Sequence, residues 1–340
     1  MSPTYAFDSK PGSGQTMQVA DGIHWLRMPL PFDLDHINLW LLEDDGGWVI
    51  VDTGISSDTS KAIWSSVFDD TMRGLPATHV IATHLHPDHM GCAGWLSRRF
   101  GVDLWMTREE YMLGRLLVAD TGKPAPEEAI RFYAAAGFSD EALQEYRERF
   151  GFFGRLVSRL PESYVRMQQN DRLALGERSW RVLIGRGHSP EHACLYCEES
   201  NLLISGDQVL PTISANVSVW PTEPTANPLK HWLESLADLR EQIPADVLVL
   251  PAHGKPFHGA HERIDAITTE HLRRLEILHE HLAEPCRVVD TFRVLFGRRV
   301  PAGHRTMATG EAIAHLNYLL AIGDAIVEAD ASGVHWYRRA

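Results

Sequence analysis

The stretch THLHPDHMG, residues 83–91, gathers three histidines and one aspartate within six positions. These residues are His84, His86, Asp88 and His89. They come directly after the short β-branched run THVIAT (78–83), which predicts a buried strand. A loop rarely needs so many imidazoles for packing, and loops that follow buried strands are common ligand-binding positions. The stretch therefore predicts a site for a ligand that imidazole and carboxylate groups bind.

Three further strand ends carry donors of the same kind. His188 in GRGHSPEH, Asp207 in LISGDQ and His253 in VLPAHGKP each follow an apolar run. Each lies beside a glycine, which lets the backbone approach a ligand closely. Chance could place His188 or His253 there in a chain with 18 histidines, but it does not explain the whole set. Five imidazoles and two carboxylates suit two divalent metal ions.

The order of these motifs resembles the metallo-β-lactamase superfamily. The pattern H-x-H-x-D-H is followed at a distance by a histidine in GHS, an aspartate in SGD and a histidine in PAHG. The VDTG motif, which contains Asp52, is another mark of that family. The resemblance covers roughly residues 20–258. It implies an α/β (α+β) fold, an αββα sandwich of two mixed sheets packed face to face with helices outside.

The resemblance also implies roles for the seven donors. It implies that His84, His86 and His188 bind one ion, that Asp88, His89 and His253 bind the other, and that Asp207 bridges the two. Residue spacing alone leaves open which donor serves which ion. Two ions about 3.5–4 Å apart would share a hydroxide, which attacks the substrate without a separate general base. We expect zinc, with iron or manganese as alternatives.

Three carboxylates have expected roles beyond simple ligation. Asp88 and Asp207 are the candidate catalytic residues, because Asp88 could orient the hydroxide and Asp207 sets the spacing of the ions. Asp52 is expected to orient a ligand or a strand end. The alternative for Asp52 is a turn-forming residue before Thr-Gly.

Composition and charge limit the function further. The chain has 340 residues, with 32 Lys+Arg against 45 Asp+Glu and a formal charge of −13, which argues against binding nucleic acid or an anionic membrane over its whole surface. Neither a signal-peptide pattern nor an apolar run long enough for a membrane span is visible. Four cysteines are too few for a disulfide scaffold. We expect a cytoplasmic protein without membrane contact.

The superfamily is broad, so the fold leaves the reaction open. The motif H-x-H-x-D-H, with aspartate at position 88, resembles the motif of the thioesterase, lactonase and RNase branches. Zinc β-lactamases usually have Cys or Ser at the position of Asp207. The loop after Asp207 lacks the Cys/Gly/Arg-rich pattern of glyoxalase II. We therefore predict a dinuclear metallo-hydrolase whose hydroxide attacks the carbonyl of a small thioester, lactone or ester. The alternatives are a nucleic-acid-directed phosphodiesterase or RNase, and a metal-binding regulator without activity, which is disfavoured because no ligand position has been lost.

The predicted organisation is a catalytic domain (1–258) followed by a helical, winged-helix-like C-terminal domain (259–340). Helices followed by AIVEADASGVHWYRR are similar to the winged-helix appendage of some members of the superfamily. Residues 260–340 contain ten arginines and eleven acidic residues, so they lack the basic face that nucleic-acid binding requires. We expect a small acyl substrate as the partner. The sequence leaves open whether the protein forms a homodimer.

A helical insert (107–165) interrupts the strand pattern and is expected to border the site. Its aromatic residues are core residues or one wall of an apolar pocket. The candidate substrate-binding residues are Phe152, Phe153, Trp220 and, for an anionic group, Lys255; the alternatives are core packing and a solvated lysine. We expect structural roles for His192, Cys194 and Cys197. Surface or capping positions are expected for His36, His258, His261, His271, His279 and His281.

Overall fold

The computed structural model describes residues 3–297 and 299–340. Its strands are β1 (Thr4–Tyr5), β2 (Thr16–Ala20), β3 (Ile23–Pro29), β4 (His36–Asp44), β5 (Gly47–Val51), β6 (Ala77–Ile81), β7 (Leu104–Met106), β8 (Val165–Arg166), β9 (Arg172–Leu175), β10 (Arg178–Gly185), β11 (His192–Cys197), β12 (Leu202–Gly206), β13 (Leu248–Pro251), β14 (Phe257–His258), β15 (Ala325–Ala329) and β16 (His335–Arg339). Its α-helices are α1 (Asp58–Asp70), α2 (Pro87–Met90), α3 (Ala93–Phe100), α4 (Arg108–Ala119), α5 (Glu127–Ala135), α6 (Asp140–Arg149), α7 (Pro228–Gln242), α8 (Ala260–His281), α9 (Phe292–Phe296) and α10 (Arg305–Ile322).

The first sheet has the strand order β2-β3-β4-β5-β6-β7-β8. Strands β2 to β5 are antiparallel neighbours, and β5 to β8 run parallel, so the sheet is mixed. The runs NLWLLED (38–44) and GGWVIVDTG (46–54) predict a hairpin, and β4 and β5 form it, with Gly46 in the left-handed conformation at its turn. Helix α1 makes the crossover from β5 to β6, which a parallel pair requires. Strands β2 and β3 lie outside the elements that the sequence pattern predicts.

The second sheet has the order β1-β14-β13-β12-β11-β10-β9. Strands β9 to β12 form an antiparallel meander, whereas β12 and β13 are parallel. Helix α7 makes the crossover between these parallel strands, and it was missed. Its sequence signals were present, since Asn227 caps the helix by accepting from the Lys230 N–H and Pro228 occupies the first helical turn.

Local capping explains several other helix boundaries. The sequence predicts Ser57 or Asp58 as the N-cap of the first helix and Gly101 as the end of the helix after the histidine loop. Ser57 caps α1 through a hydrogen bond from the Ser60 N–H, and left-handed Gly101 ends α3. The pattern SDEALQEYRERFGFFGRLVSRLP (139–161) predicts helix, and this prediction is wrong after residue 149. Helix α6 ends at Arg149, because Gly151 adopts φ +72° and a short 3₁₀ turn (153–155) follows.

The two sheets pack face to face with helices on both outer faces. Trp25 and Trp40 of the first sheet and Trp180 and Leu195 of the second belong to one buried cluster between the sheets. A second cluster joins the outer face of the first sheet to α1 and α3, and a third joins the outer face of the second sheet to α7. The fold is therefore the αββα sandwich of two mixed sheets that the resemblance implied.

The C-terminal helices share a hydrophobic core with the sandwich. Trp232 and Leu236 of α7 lie in the same buried cluster as Ile264 of α8 and Leu316 of α10. The two short runs around Asp330–Gly333 predict a hairpin, which β15 and β16 form, and Tyr337 packs into this cluster. The C-terminal helical region is confirmed, while the domain boundary at residue 258 stays a prediction. Within the described residues, no helix is both long and apolar enough to cross a membrane.

Leu195→Ala tests the packing between the sheets. Leu195 is fully buried in the middle of β11, so its truncation should lower the free energy of unfolding by about 2–5 kcal/mol. The matched control is Leu272→Ala on α8, where the side chain is 44% exposed and the loss should stay within about 0.5 kcal/mol. Urea unfolding in the presence of a chelator measures both. Equal losses would contradict this description of the core.

Candidate metal centre

The seven predicted donors converge at one edge of the sandwich. His84, His86, His188 and Asp207 form one group, and Asp88, His89 and His253 form another, with the ligand atoms of each group within 4.8 Å of one another. Four donors follow β6 of the first sheet, whereas the other three follow β10, β12 and β13 of the second. The ends of strands from both sheets therefore supply the site.

Hydrogen bonds orient the histidine rings. His188 Nδ1 lies 2.7 Å from the Asn216 carbonyl oxygen, and His253 Nδ1 lies 2.8 Å from the His36 carbonyl oxygen. Carbonyl oxygens only accept, so both Nδ1 atoms carry a proton, and in the neutral ring each Nε2 atom presents a lone pair to the site. His86 faces the donor group through its Nδ1 atom, which lies 2.8 Å from His84 Nε2.

Asp52 is the central partner of the histidine loop. Its carboxylate accepts from the Thr83 N–H at 2.8 Å, from the Thr83 hydroxyl at 2.9 Å and from His89 Nδ1 at 2.8 Å. Because the Thr83 hydroxyl donates to Asp52, its oxygen is free to accept from His84 Nδ1 at 3.1 Å. Asp52 itself has φ 61°, a costly conformation for a non-glycine residue, and this strain lies beside the site.

Asp207 lies between the two groups of donors. Its Oδ2 is 3.3 Å from His188 Nε2 and 3.5 Å from His89 Nε2, and its Oδ1 is 3.4 Å from His253 Nε2. The backbone N–H of Asp207 donates to His192 Nε2 at 3.0 Å, so His192 positions this residue and belongs to neither donor group. Gly206 allows that approach, because a Cβ there would clash with His192 Nε2.

The chemistry of the donor set fits divalent cations. His84 Nε2 and His188 Nε2 lie 3.3 Å apart, and since both Nδ1 atoms are protonated these two atoms face each other with lone pairs. His89 Nε2 and Asp207 Oδ1 are buried and have no hydrogen-bond partner among the described residues. A cation between such atoms satisfies groups that no protein donor reaches.

The pKa shifts of the site histidines also favour cation binding. Burial lowers the pKa of His84 well below its ordinary value, and the same cause lowers the pKa of His86 to about 3, so both rings are neutral and able to ligate. Burial also acts to lower the pKa of His89, but the carboxylates of Asp52, Asp207 and Asp88 raise it overall. This half of the site therefore favours positive charge, which a metal ion supplies.

Glu110 ties two of the donor loops together, and the sequence analysis missed it. It lies on α4, the first helix of the predicted insert, and its side chain is fully buried. One carboxylate oxygen accepts from the Leu85 N–H at 2.9 Å, and the other accepts from the Glu191 N–H at 2.7 Å. Burial raises its pKa to about 7. No sequence motif marked it, because a glutamate in a helix is ordinarily exposed.

Two histidines expected at the surface are buried or nearly so. His36 holds His253 through its carbonyl oxygen, and its Nε2 accepts from the Gly254 N–H at 3.1 Å. His271 on α8 is only 1% exposed and lies 3.4 Å from His315. The surface or capping expectation is wrong for both, because the loop after β13 packs on His36 and α10 packs on His271.

The candidate substrate residues take different positions. Lys255 Nζ donates to the carbonyl oxygens of Phe7 and Asp8, so its charge holds the N-terminal segment. Phe152 is 50% exposed and Trp220 is 41% exposed, whereas Phe153 packs partly buried against the core of the first sheet. Other aromatic residues of the insert form a small core of their own with α5 and α6. These core members are Phe132, Tyr133 and Tyr146.

Comparison with known families agrees with this geometry. A profile described as "Metallo-beta-lactamase superfamily" matches residues 32–254, and one described as "Metallo-beta-lactamase-like, C-terminal domain" matches residues 275–340. The chain belongs to the metallo-beta-lactamase superfamily. It is a metallo-hydrolase of that superfamily, and its His/Asp cluster can hold divalent metal.

Members of the superfamily with related sequences include two solved structures. A beta-lactamase domain protein from Burkholderia ambifaria is 44% identical, with a TM-score of 0.92 over 99% of this chain and 98% of that chain. A metallo-beta-lactamase family protein from Thermus thermophilus is 26% identical, with a TM-score of 0.79 over 95% and 100%. The human acyl-coenzyme A thioesterase MBLAC2 is 23% identical over 271 residues, which cover 77% of this chain and 88% of that protein.

His86→Ala tests the donor set of this metallo-beta-lactamase homologue. We expect the wild-type protein, purified without chelator, to hold about two divalent ions per chain. The variant should lose at least one of them, because three donors bind more weakly than four. The control is His281→Ala at the exposed end of α8. Elemental analysis measures the metal content, and a wild-type content in the His86 variant would refute the assignment.

Glu110→Gln tests the link between the donor loops. Glutamine has one acceptor oxygen, so it can satisfy only one of the two N–H groups that the carboxylate binds. With the loops less firmly held, metal affinity should fall about 10-fold or more. Glu109→Gln, an exposed change at the neighbouring position, should leave affinity unchanged. Competition with a chelator of known affinity measures both variants, and equal affinities would show that Glu110 does not position the donors.

Proposed function

We propose that this protein hydrolyses acyl thioesters at a dinuclear zinc centre. The observation that carries the proposal is the position of Asp207, whose two oxygens face donors of both groups within 3.5 Å. A carboxylate in that position suits a pair of ions that share it. When bound, such ions supply Lewis acidity toward a carbonyl oxygen and lower the pKa of water at the site.

Asp88 is the carboxylate best placed to act on the attacking water. Its side chain is 19% exposed, against 11% for Asp207, so it lies nearer to solvent. Its Oδ2 lies 3.5 Å from His253 Nε2 and 3.7 Å from His89 Nε2. In the proposed reaction Asp88 accepts a hydrogen bond from the water and orients it toward the acyl carbon. Asp207 keeps the two donor groups at a fixed separation.

The state of the carboxylates favours a thiolate leaving group. Burial acts to raise the pKa of Asp88, but the neighbouring His89 and His253 lower it overall, and the pKa of Asp207 is lowered in the same way. Both groups are therefore ionised at neutral pH and cannot donate a proton. A thiolate leaves without protonation more readily than an alkoxide, since the thiol pKa is about 8.5. This ranks thioesters above esters and lactones.

The likeness to the human acyl-coenzyme A thioesterase supports the same substrate class. The exposed Phe152 is available to an acyl chain, as an apolar residue of the insert whose first helix contacts the donor loops through Glu110. A nucleic-acid substrate has less support, because the acidic residues of the C-terminal region outnumber its arginines.

A substrate panel with Asp207→Asn tests the proposal. Zinc-loaded protein should turn over acyl-coenzyme A thioesters with a higher kcat/KM than matched esters, lactones or a phosphodiester. Asp207→Asn should lower kcat by at least about 100-fold, because the shared carboxylate charge is lost. Asp246→Asn, an exposed change in the turn before β13, is the control and should keep wild-type kcat. Turnover confined to the phosphodiester, or an Asp207 variant with wild-type kcat, would reject the proposal.

A further inference from the structure

A loop between β12 and α7 connects the metal centre to the C-terminal region. We propose that Glu311 of α10 and Arg274 of α8 are positioning residues for the metal ligand His188, acting through Asn216 of this loop. The C-terminal region would then complete the metal centre as well as cover the second sheet. This inference rests on the metal centre but does not depend on the thioester substrate.

The first step is the contact between His188 and Asn216. The Asn216 carbonyl oxygen accepts from His188 Nδ1 at 2.7 Å, which fixes both the tautomer and the plane of the ring. His84, His89 and His253 have outer partners within the sandwich, namely Thr83, Asp52 and His36. His188 differs, because its partner belongs to the loop between β12 and α7, which contacts the C-terminal helix α10.

The second step is the anchoring of Asn216 by charged residues of the C-terminal region. Asn216 Nδ2 donates to Glu311 Oε2 at 2.9 Å. The other oxygen of Glu311 accepts from Arg274 Nη1 at 3.0 Å, and Arg274 also binds Glu270 at 2.9 Å. Both Glu311 oxygens are therefore engaged, one by the loop and one by a neighbouring helix.

Close packing of the same loop on α10 limits its movement. The Val219 N–H donates to the Gly310 carbonyl oxygen at 3.0 Å, and Ser218 Oγ contacts both Asn216 Oδ1 and the Met307 carbonyl oxygen. Gly310 allows this approach, because a Cβ at that position would lie 2.7 Å from the Ser218 Cβ. The loop thus follows α10 on both sides of the glycine.

Two neighbouring histidines, His271 and His315, give the loop a further contact with the C-terminal helices. Ser214 Oγ lies 3.3 Å from His271 Nε2, and His271 Nδ1 lies 3.4 Å from His315 Nε2. His315 Nδ1 donates to the Glu311 carbonyl oxygen at 2.8 Å. The network therefore reaches the loop at Ser214 and at Asn216, the residue that binds His188.

Burial of the ion pair fits a positioning role better than a stabilising one. Glu311 and Arg274 side chains are 14% and 23% exposed, and burial raises the pKa of Glu311. Removing charges from water offsets much of the attraction between them, so such pairs add little net stability. Their fixed geometry nevertheless holds Asn216 in one orientation.

Cobalt binding to the full-length apoprotein tests the inference without any substrate. Co²⁺ is titrated against a competing chelator and its visible absorption is recorded for wild type, Asn216→Ala and Glu311→Gln. Glutamine keeps one acceptor, so it cannot serve Asn216 and Arg274 together. Both variants should bind one of two Co²⁺ ions about 10–100-fold more weakly, with an altered absorption band, and the second ion as tightly as wild type.

Leu319→Ala is the matched control for general loosening of α10. Leu319 is buried two turns beyond Glu311 and takes no part in the network, so this variant should lose thermal stability but keep wild-type cobalt affinity and spectrum. Asn216→Ala keeps the inference testable if Glu311→Gln does not fold. Wild-type cobalt binding in Asn216→Ala, or an equal loss in Leu319→Ala, would overturn the proposal. Absence of thioester turnover would leave these cobalt results unchanged, so the two proposals fail separately.

Discussion

The face-to-face packing of the two sheets is the constraint on which the rest of this molecule depends. Four metal donors follow β6 of the first sheet, and three follow strands of the second, so neither sheet alone carries a complete site. Asn38 joins the sheets at this edge, because its amide donates to the carbonyl oxygens of Pro251 and Gly254 at 2.8 Å. The donors meet only after the inner faces have packed, so we expect metal binding and folding to be coupled.

Groups around the donors matter as much as the donors themselves. The carboxylate of Asp52 and the carbonyl oxygens of His36 and Asn216 hold three imidazoles with their lone pairs directed inward. These partners belong to backbone or to buried side chains, so the rings lose little freedom when a cation binds. This arrangement costs conformational and electrostatic free energy at two places. Asp52 has a strained left-handed backbone, and the Nε2 atoms of His84 and His188 face each other.

The insert and the C-terminal region both contact loops that carry donors. Glu110 of α4 binds the backbone on either side of the site, and Glu311 of α10 reaches the loop that supports His188. Glu110 accepts from two backbone N–H groups of irregular segments, which have no sheet partner to satisfy them, whereas Glu311 accepts from the side-chain amide of Asn216. Segments added to the sandwich thus stabilise the parts of the site that the sandwich alone leaves least constrained.

The sequence by itself identified the seven candidate donors that the fold brings together, because a dense histidine loop and glycine-flanked strand ends are local patterns. It also determined the β4–β5 hairpin and the caps of α1 and α3, which depend on neighbouring residues. It could not find Glu110, His36 or Glu311, since each acts through a partner 25 or more residues away in the chain. Only the tertiary structure decided these contacts, because hydrogen bonds to distant backbone form after the sheets and helices have packed, and no local spacing encodes them.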